Sequence, residues 1–160
     1  MYIVFGTGHL NHALEPTLEI ETIQINALAF AAVASHAMGH FTRQGHGTIV
    51  GISSVAAARG SAHVPAYNAS KAFVASYLKE LRLRTLKQST PIQITEIRPG
   101  SVDTAMMKTE KPFWVVSPDI AAKRILSVVE KGKPVAYVPR RWAFIAVLLR
   151  CLPEFIYKKL

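Results

Sequence analysis

The sequence has one cysteine, Cys151, in 160 residues. No disulfide can form within the chain, so its fold has to rest on a hydrophobic core, and a reducing, cytoplasmic setting is the expectation. Acidic side chains are also scarce: ten Asp and Glu stand against nineteen Lys and Arg, a formal charge of +9. Such an excess suits nucleic acid, an anionic membrane surface or an anionic cofactor. The basic residues are scattered from Arg43 onward and thicken only at Arg140, Arg141, Arg150, Lys158 and Lys159. They lack an interleaved aromatic platform or a base-reading motif, which sets nucleic acid aside. The start, Met1 to Gly6, has neither the basic flank nor the long apolar core of a signal peptide. No apolar run is expected to reach the roughly 20 residues that cross a bilayer, the best stretch being Trp142 to Leu149 between Arg141 and Arg150. A soluble protein, at most attached to a membrane from one side, is expected.

Half of the residues are apolar, and the length suits a single domain. Tyr2 to Phe5 reads as a buried strand, followed by the turn Gly6-Thr7-Gly8. The spacing of Leu18, Ile23, Leu28, Ala32 and Val33 predicts a long helix from Leu14 to His40, started after Pro16 with Thr17 as cap. Thr48 to Ile52 and Ile92 to Ile97 read as strands, the second ending at Pro99-Gly100. Between them a helix runs from Ala66 to about Lys87. Ser117 caps a helix with Pro118 in its first position, ending near Lys131-Gly132. Val135 to Val138 is the last strand, and residues 140–160 form a helical tail broken at Pro153. Strands alternating with helices imply parallel pairing, an α/β sheet of about four strands with flanking helices.

The chemistry gathers between Gly51 and Lys71. Ser53 and Ser54 close the strand Thr48 to Ile52, and loops after parallel strands are where α/β proteins place their reactive groups. Tyr67 and Lys71 are four residues apart and share one helix face. A nearby ammonium is expected to lower the phenol from its usual pKa of roughly 10, giving a usable acid and base. A serine hydroxyl there, from Ser53 or Ser54, can then donate to a carbonyl oxygen to which Tyr67 delivers a proton. His36 and His40 have metal-ligand spacing but no third ligand near them in sequence, so no metal site is expected. His9, His12, His46 and His63 read as loop residues without a fixed partner.

Ser54, the pattern Tyr67-x-x-x-Lys71 and the later Pro99-Gly100-x-Val102-x-Thr104 resemble the second half of the short-chain dehydrogenase/reductase family, over nearly all of the chain. The resemblance implies part of a doubly wound, Rossmann-like sheet and hydride transfer between NAD or NADP and a carbonyl or secondary alcohol. It implies that Tyr67 is the acid/base, that Lys71 lowers its pKa and holds the nicotinamide ribose, that Ser54 orients the carbonyl oxygen, and that Asn26 serves a proton relay behind Lys71. Pro99, Gly100, Val102 and Thr104 would line the cofactor. Gly8 is the one match to the family's turn after its fourth strand. A glycine-rich phosphate turn within a βαβ unit is absent from the sequence, as are about three of the family's first strands. Residues 1–139 are therefore expected to be the C-terminal part of the dehydrogenase domain and 140–160 a basic, apolar tail.

Several expectations follow. With those strands missing, Tyr2 to Phe5 becomes a sheet edge that recruits partners or pairs with itself, so a homo-oligomer is expected, and a non-catalytic module pairing through this edge is the rival reading. Met106, Met107, Phe113 and Trp114 lie where the family keeps its substrate lid and would favour an apolar substrate; alternatively Phe113 and Trp114 anchor the loop to the core. The tail packs on the sheet or on a second subunit, or lies on an anionic membrane surface.

Overall fold

The computed structural model describes residues 1–60, 63–104 and 113–157. Met106 and Met107 of the expected lid, and Lys158 and Lys159 of the tail, lie outside the described residues. In chain order the elements are β1 (Tyr2–Ile3), α1 (Pro16–Ile23), a π-helical stretch Gln24–Ala29, α2 (Phe30–Gln44), β2 (Gly47–Ile52), a 3-10 turn Val55–Ala58, α3 (Pro65–Lys87), β3 (Ile92–Pro99), α4 (Pro118–Glu130), β4 (Val135–Val138), α5 (Trp142–Cys151) and α6 (Glu154–Tyr157). The four strands form one parallel sheet in the order β1-β2-β3-β4. This is the expected α/β architecture.

Two cores lie on opposite faces of the sheet. Ile3, Ile49, Ile92 and Ile94 meet Phe30, Ala34, Val74 and Leu78 of α2 and α3. On the other face Val50, Ile97 and Val138 pack with Val116 and Ala121 of α4. The central strands β2 and β3 are buried on both faces, which is why they read as continuous β-branched runs. Their register, Ile49 against Ile94 and Val50 against Thr95, aligns their C-terminal ends, and those ends carry Ser53, Ser54 and Gly100.

Several local expectations are corrected. β1 covers only Tyr2 and Ile3; Val4 and Phe5 leave the sheet, being 69% and 39% exposed. β1 is an edge of the sheet among the described residues. The helix cap is not Thr17: Pro16 occupies the first position and Glu15 the cap, because the Asn11 side chain holds the Glu15 backbone, accepting from its N–H at 2.8 Å and donating to its carbonyl at 3.1 Å. The helical stretch Pro16–Gln44 is, by length and composition, long and apolar enough to cross a membrane, contrary to the sequence expectation. Its inner face carries the core residues Phe30, Ala34, Ala37 and Met38.

Candidate active site

The site is built from three segments at the C-terminal ends of β1 and β2. Ser54 caps the turn after β2, its hydroxyl accepting from the Ala56 N–H at 3.1 Å. Pro65 starts α3, so Tyr67 stands in the first turn and Lys71 one turn further on the same face. Ser54 acts on the Tyr67 phenol in the direction that lowers its pKa, and Lys71 Nζ lies 5.7 Å from the Tyr67 ring centroid while donating to the Ile52 carbonyl at 3.1 Å. The third segment is the loop after β1. A Cβ on Gly8 would stand 2.8 Å from Tyr67 Cδ2, and one on Gly6 would be 3.1 Å from Lys71 Nζ. Only glycine lets this loop lie so close to both side chains.

Asn26 closes the group from behind. Its side chain pairs with Thr7 on both edges, Oδ1 accepting from the Thr7 N–H at 2.8 Å and Nδ2 donating to the Thr7 carbonyl at 2.8 Å. Nδ2 also donates to Ser70 Oγ at 3.0 Å, and Ser70 donates to the Tyr67 carbonyl at 2.8 Å. Asn26 sits in the π-helical stretch, a local widening that occurs most often at functional sites. The structure thus brings Asn26, Ser54, Tyr67, Lys71 and Gly8 together.

Burial sets the electrostatics. Lys71 is 6% exposed, and desolvation pulls its ammonium down to about 8. Desolvation also raises the Tyr67 phenol above its ordinary value, with the Ser54 hydrogen bond acting in the lowering direction. The expectation that the ammonium lowers the phenol is therefore corrected: in this protein alone the cost of burying a phenolate outweighs its partners. What the group can do is hold a neutral phenol and a serine hydroxyl on one small oxygen, beside an amine that titrates near neutrality.

Supporting residues escaped the sequence reading. Glu19 Oε2 accepts from the Ala66 N–H at 3.0 Å, placing a carboxylate on the N-terminus of α3 one residue before Tyr67. Asn11, 2% exposed, steers that carboxylate by donating to Glu19 Oε1 at 2.8 Å. Under Ser53 lies a buried network: Glu96, 1% exposed, accepts from Ser53 Oγ and from Arg98 Nε, each at 2.7 Å, and Arg98 donates to the Tyr137 hydroxyl at 2.9 Å. The one signal was the charged pair Glu96 and Arg98 in a strand that carries no other charge.

The remaining expected residues lie at the end of β3. Pro99 closes the strand, Gly100 donates its N–H to the Val138 carbonyl at 2.9 Å, Val102 bridges to Val116, and Thr104 is exposed. Gly100 is covered by the tail: a Cβ there would stand 2.0 Å from Trp142 Nε1. Phe113 and Trp114 stack at 4.3 Å, and each meets Trp142 edge-on, at 6.1 and 5.9 Å. The loop is thus tied to α5. His12 and His63, expected to lack partners, face each other at 3.2 Å between ring nitrogens, and His9 lies 3.5 Å from Glu21. They join the loop after β1 to the segments around the start of α3. Among the described residues no group of three or more His, Cys, Asp or Glu is placed to hold a metal.

Comparison with known proteins agrees with this fold. The chain matches the model of the short chain dehydrogenase family over residues 6–113. It is 30% identical over 138 residues to an uncharacterized oxidoreductase of Myxococcus xanthus, covering 84% of this chain and 53% of that protein. It is 28% identical to estradiol 17-beta-dehydrogenase 11 of Homo sapiens, covering 94% and 51%. The chain spans about half the length of these curated relatives. Among solved structures, a short chain dehydrogenase from Burkholderia cenocepacia in complex with NADP superposes with a TM-score of 0.80 at 18% identity, over 99% of this chain and 69% of that one. One from Sphingobium yanoikuyae in complex with NADPH gives 0.74 at 20% identity, over 94% and 63%. With the family model matched over 6–113 and the same sheet and flanking helices, the chain belongs to the short chain dehydrogenase family.

Proposed function

We propose that the chain carries the proton-transfer half of a nicotinamide-dependent oxidoreductase that interconverts a carbonyl compound and a secondary alcohol. The observation that carries this reading is the convergence of Ser54, Tyr67, Lys71 and Asn26, from three separate segments, on one small space. The residues fit a nicotinamide cofactor, NAD or NADP. Lys71 has three ammonium protons, and among the described residues only the Ile52 carbonyl accepts one, which leaves donors for ribose hydroxyls. When bound, the cofactor supplies or accepts the hydride.

The chain's own residues do the rest. Ser54 and Tyr67 hold the substrate oxygen with two hydrogen bonds, and Tyr67 gives up its proton as the oxygen gains charge during reduction. The Lys71 ammonium returns that proton to the phenolate and is recharged from solvent, while the Asn26–Thr7 pair holds the loop after β1 against this group. In the oxidation direction the same phenol oxygen takes the alcohol proton. Gly8, Pro99, Val102 and Thr104 line the nicotinamide end, while Gly100, covered by Trp142, shapes the turn between them. A glycine-rich phosphate turn is not among the 160 residues, so no residue is assigned to the adenosine end. The substrate is a small carbonyl or alcohol compound of apolar character, in keeping with Phe113 and Trp114 beside the Pro99-Gly100 turn.

A second reading rests on the sheet edge. Tyr2, Val4 and Phe5 are 45%, 69% and 39% exposed, and an apolar edge of this kind pairs with another strand. On that reading the chain is a non-catalytic module or a homo-oligomer held through β1, without cofactor. Thermal unfolding with added NAD or NADP separates the two. A rise in Tm that is lost in Lys71→Met supports the dehydrogenase site. No shift with either cofactor, together with a dimer or larger species in light scattering, supports the edge-pairing module.

A further inference from the structure

On the face of the sheet that α4 covers, a cavity of about 470 Å³ lies between α4 and the strand and turn leading to α5. Its lining holds five cations, Arg124, Lys131, Lys133, Arg140 and Arg141, with Ser127 and Tyr137 between them and no carboxylate among the described residues. None of the five forms an ion pair among the described residues. Five like charges around one hollow repel one another, and an anion of several charges placed among them relieves that repulsion. A volume in this range suits a ligand of phosphate-headgroup size.

The cavity runs into an apolar surface. Arg141 is the cap residue of α5, and that helix is fastened to the protein along one face. Trp142 lies on Gly100, Ala146 is fully buried, and Arg59 donates to the Leu149 and Leu152 carbonyls at the far end. The opposite face is bare: Phe144, Val147 and Leu148 are 72%, 60% and 46% exposed, and Phe155 beyond Pro153 is 64% exposed. A rigidly held helix with an outward apolar face and a cationic hollow at its start has the composition of a surface that enters a bilayer interface.

We infer that this face binds an anionic phospholipid membrane, the cavity taking headgroup phosphates and the outer face of α5 entering the acyl boundary. A second copy of the chain is a poor occupant, since a two-fold contact would bring the five cations against their own copies. A soluble polyanion would fill the hollow and leave the apolar face in water. The inference does not depend on hydride transfer.

The test is flotation of the 160-residue chain with phosphatidylcholine vesicles containing about 30% phosphatidylserine, against phosphatidylcholine alone. Binding is expected only to the anionic vesicles. Each cation near the surface contributes about five-fold to partitioning, so Arg124→Gln/Lys131→Gln/Lys133→Gln should bind about 100-fold more weakly. Phe144→Ser/Val147→Ser should also weaken binding, and circular dichroism confirms that both variants fold. Equal binding to the two vesicle types, or unchanged binding by either variant, would overturn the inference. So would binding of inositol hexakisphosphate or an oligonucleotide without vesicle binding, or a lipid-free dimer that Phe144→Ser/Val147→Ser abolishes.

Discussion

Ser53 donates its hydroxyl to the buried Glu96 carboxylate at 2.7 Å and to the Ile97 carbonyl at 3.2 Å, while its neighbour Ser54 turns to Tyr67. Two adjacent serines thus have opposite work: one ties the strand end into the sheet, the other faces the phenol. Hydrogen bonds to a charged, buried group contribute about 1.5–3 kcal/mol. Ser53→Ala should therefore lower stability by about 2 kcal/mol in denaturant unfolding, by leaving part of Glu96 unpaired. Ser54→Ala should cost well under that and remove most turnover. Equal effects of the two substitutions on both readouts would contradict this division.

Lys71 is a buried cation with one hydrogen bond among the described residues. Its fall from 10.5 to about 8 corresponds to about 3 kcal/mol at full effect. The sign is fixed by linkage. Below pH 8 the folded chain bears the cost of the buried ammonium; between about 8 and 10.5 the unfolded state keeps a proton that the folded state has released, so stability rises with pH across that window. Lys71→Met should accordingly be more stable than the wild type near pH 7, with the advantage fading by about pH 10.5. Tyr67, raised by burial, acts in the other direction above pH 10 and is common to both proteins. Thermal melts from pH 6 to 10.5 check this, and a pH-independent difference would show that Lys71 is well solvated and keeps its ordinary pKa.

The loop after β1 has no room for a side chain at Gly8, where a Cβ would meet the Tyr67 ring at 2.8 Å. Gly8→Ala must push the ring or the loop, and overpacking of this kind costs about 1–3 kcal/mol. The Tm should fall and the Tyr67–Ser54 hydrogen bond should be lost, so turnover falls further than stability predicts. Gly39→Ala in α2, where a Cβ would stand 3.6 Å from Arg43, an ordinary contact, is the control and should lower neither.

Glu19 lies 47 residues from the amide it caps. A charged cap at a helix start contributes about 1 kcal/mol, so Glu19→Gln should lower stability by less than Glu19→Ala, with Glu19→Ala costing about 1 kcal/mol. Hydrogen exchange should quicken at Ala66 and Tyr67 and stay unchanged at Val74 and Leu78. Uniform quickening along α3 would mean that Glu19 supports the whole helix rather than its first turn.

Much of this architecture was legible in the chain because local patterns and tertiary packing agree. The β-branched runs at 48–52 and 92–97 are buried on both faces, and Ser117-Pro118 starts α4 with the Ser117 hydroxyl accepting from the Ile120 N–H at 3.4 Å. The short β1 was over-read, since Val4 and Phe5 are as apolar as Ile3 yet have no strand beside them among the described residues. The cap at Glu15 was missed because Asn11, outside the helix, does the work of a cap side chain. Of the site, Tyr67 and Lys71 could be named from spacing and Ser54 and Asn26 from the family resemblance, but not the pairing of Asn26 with Thr7, which joins residues 19 positions apart. The direction of the Tyr67 shift was misjudged because spacing reveals a neighbouring charge and says nothing of burial.

The central claim is that the Tyr67 phenol passes the proton during hydride transfer. Oxidation of NADH or NADPH by the 160-residue chain with a panel of apolar ketones, followed at the reduced nicotinamide band, tests it with Tyr67→Phe as the matched variant. The account predicts turnover in the wild type and a loss of at least about 100-fold in Tyr67→Phe, with the cofactor-induced rise in Tm retained. Equal turnover in the two proteins would contradict it.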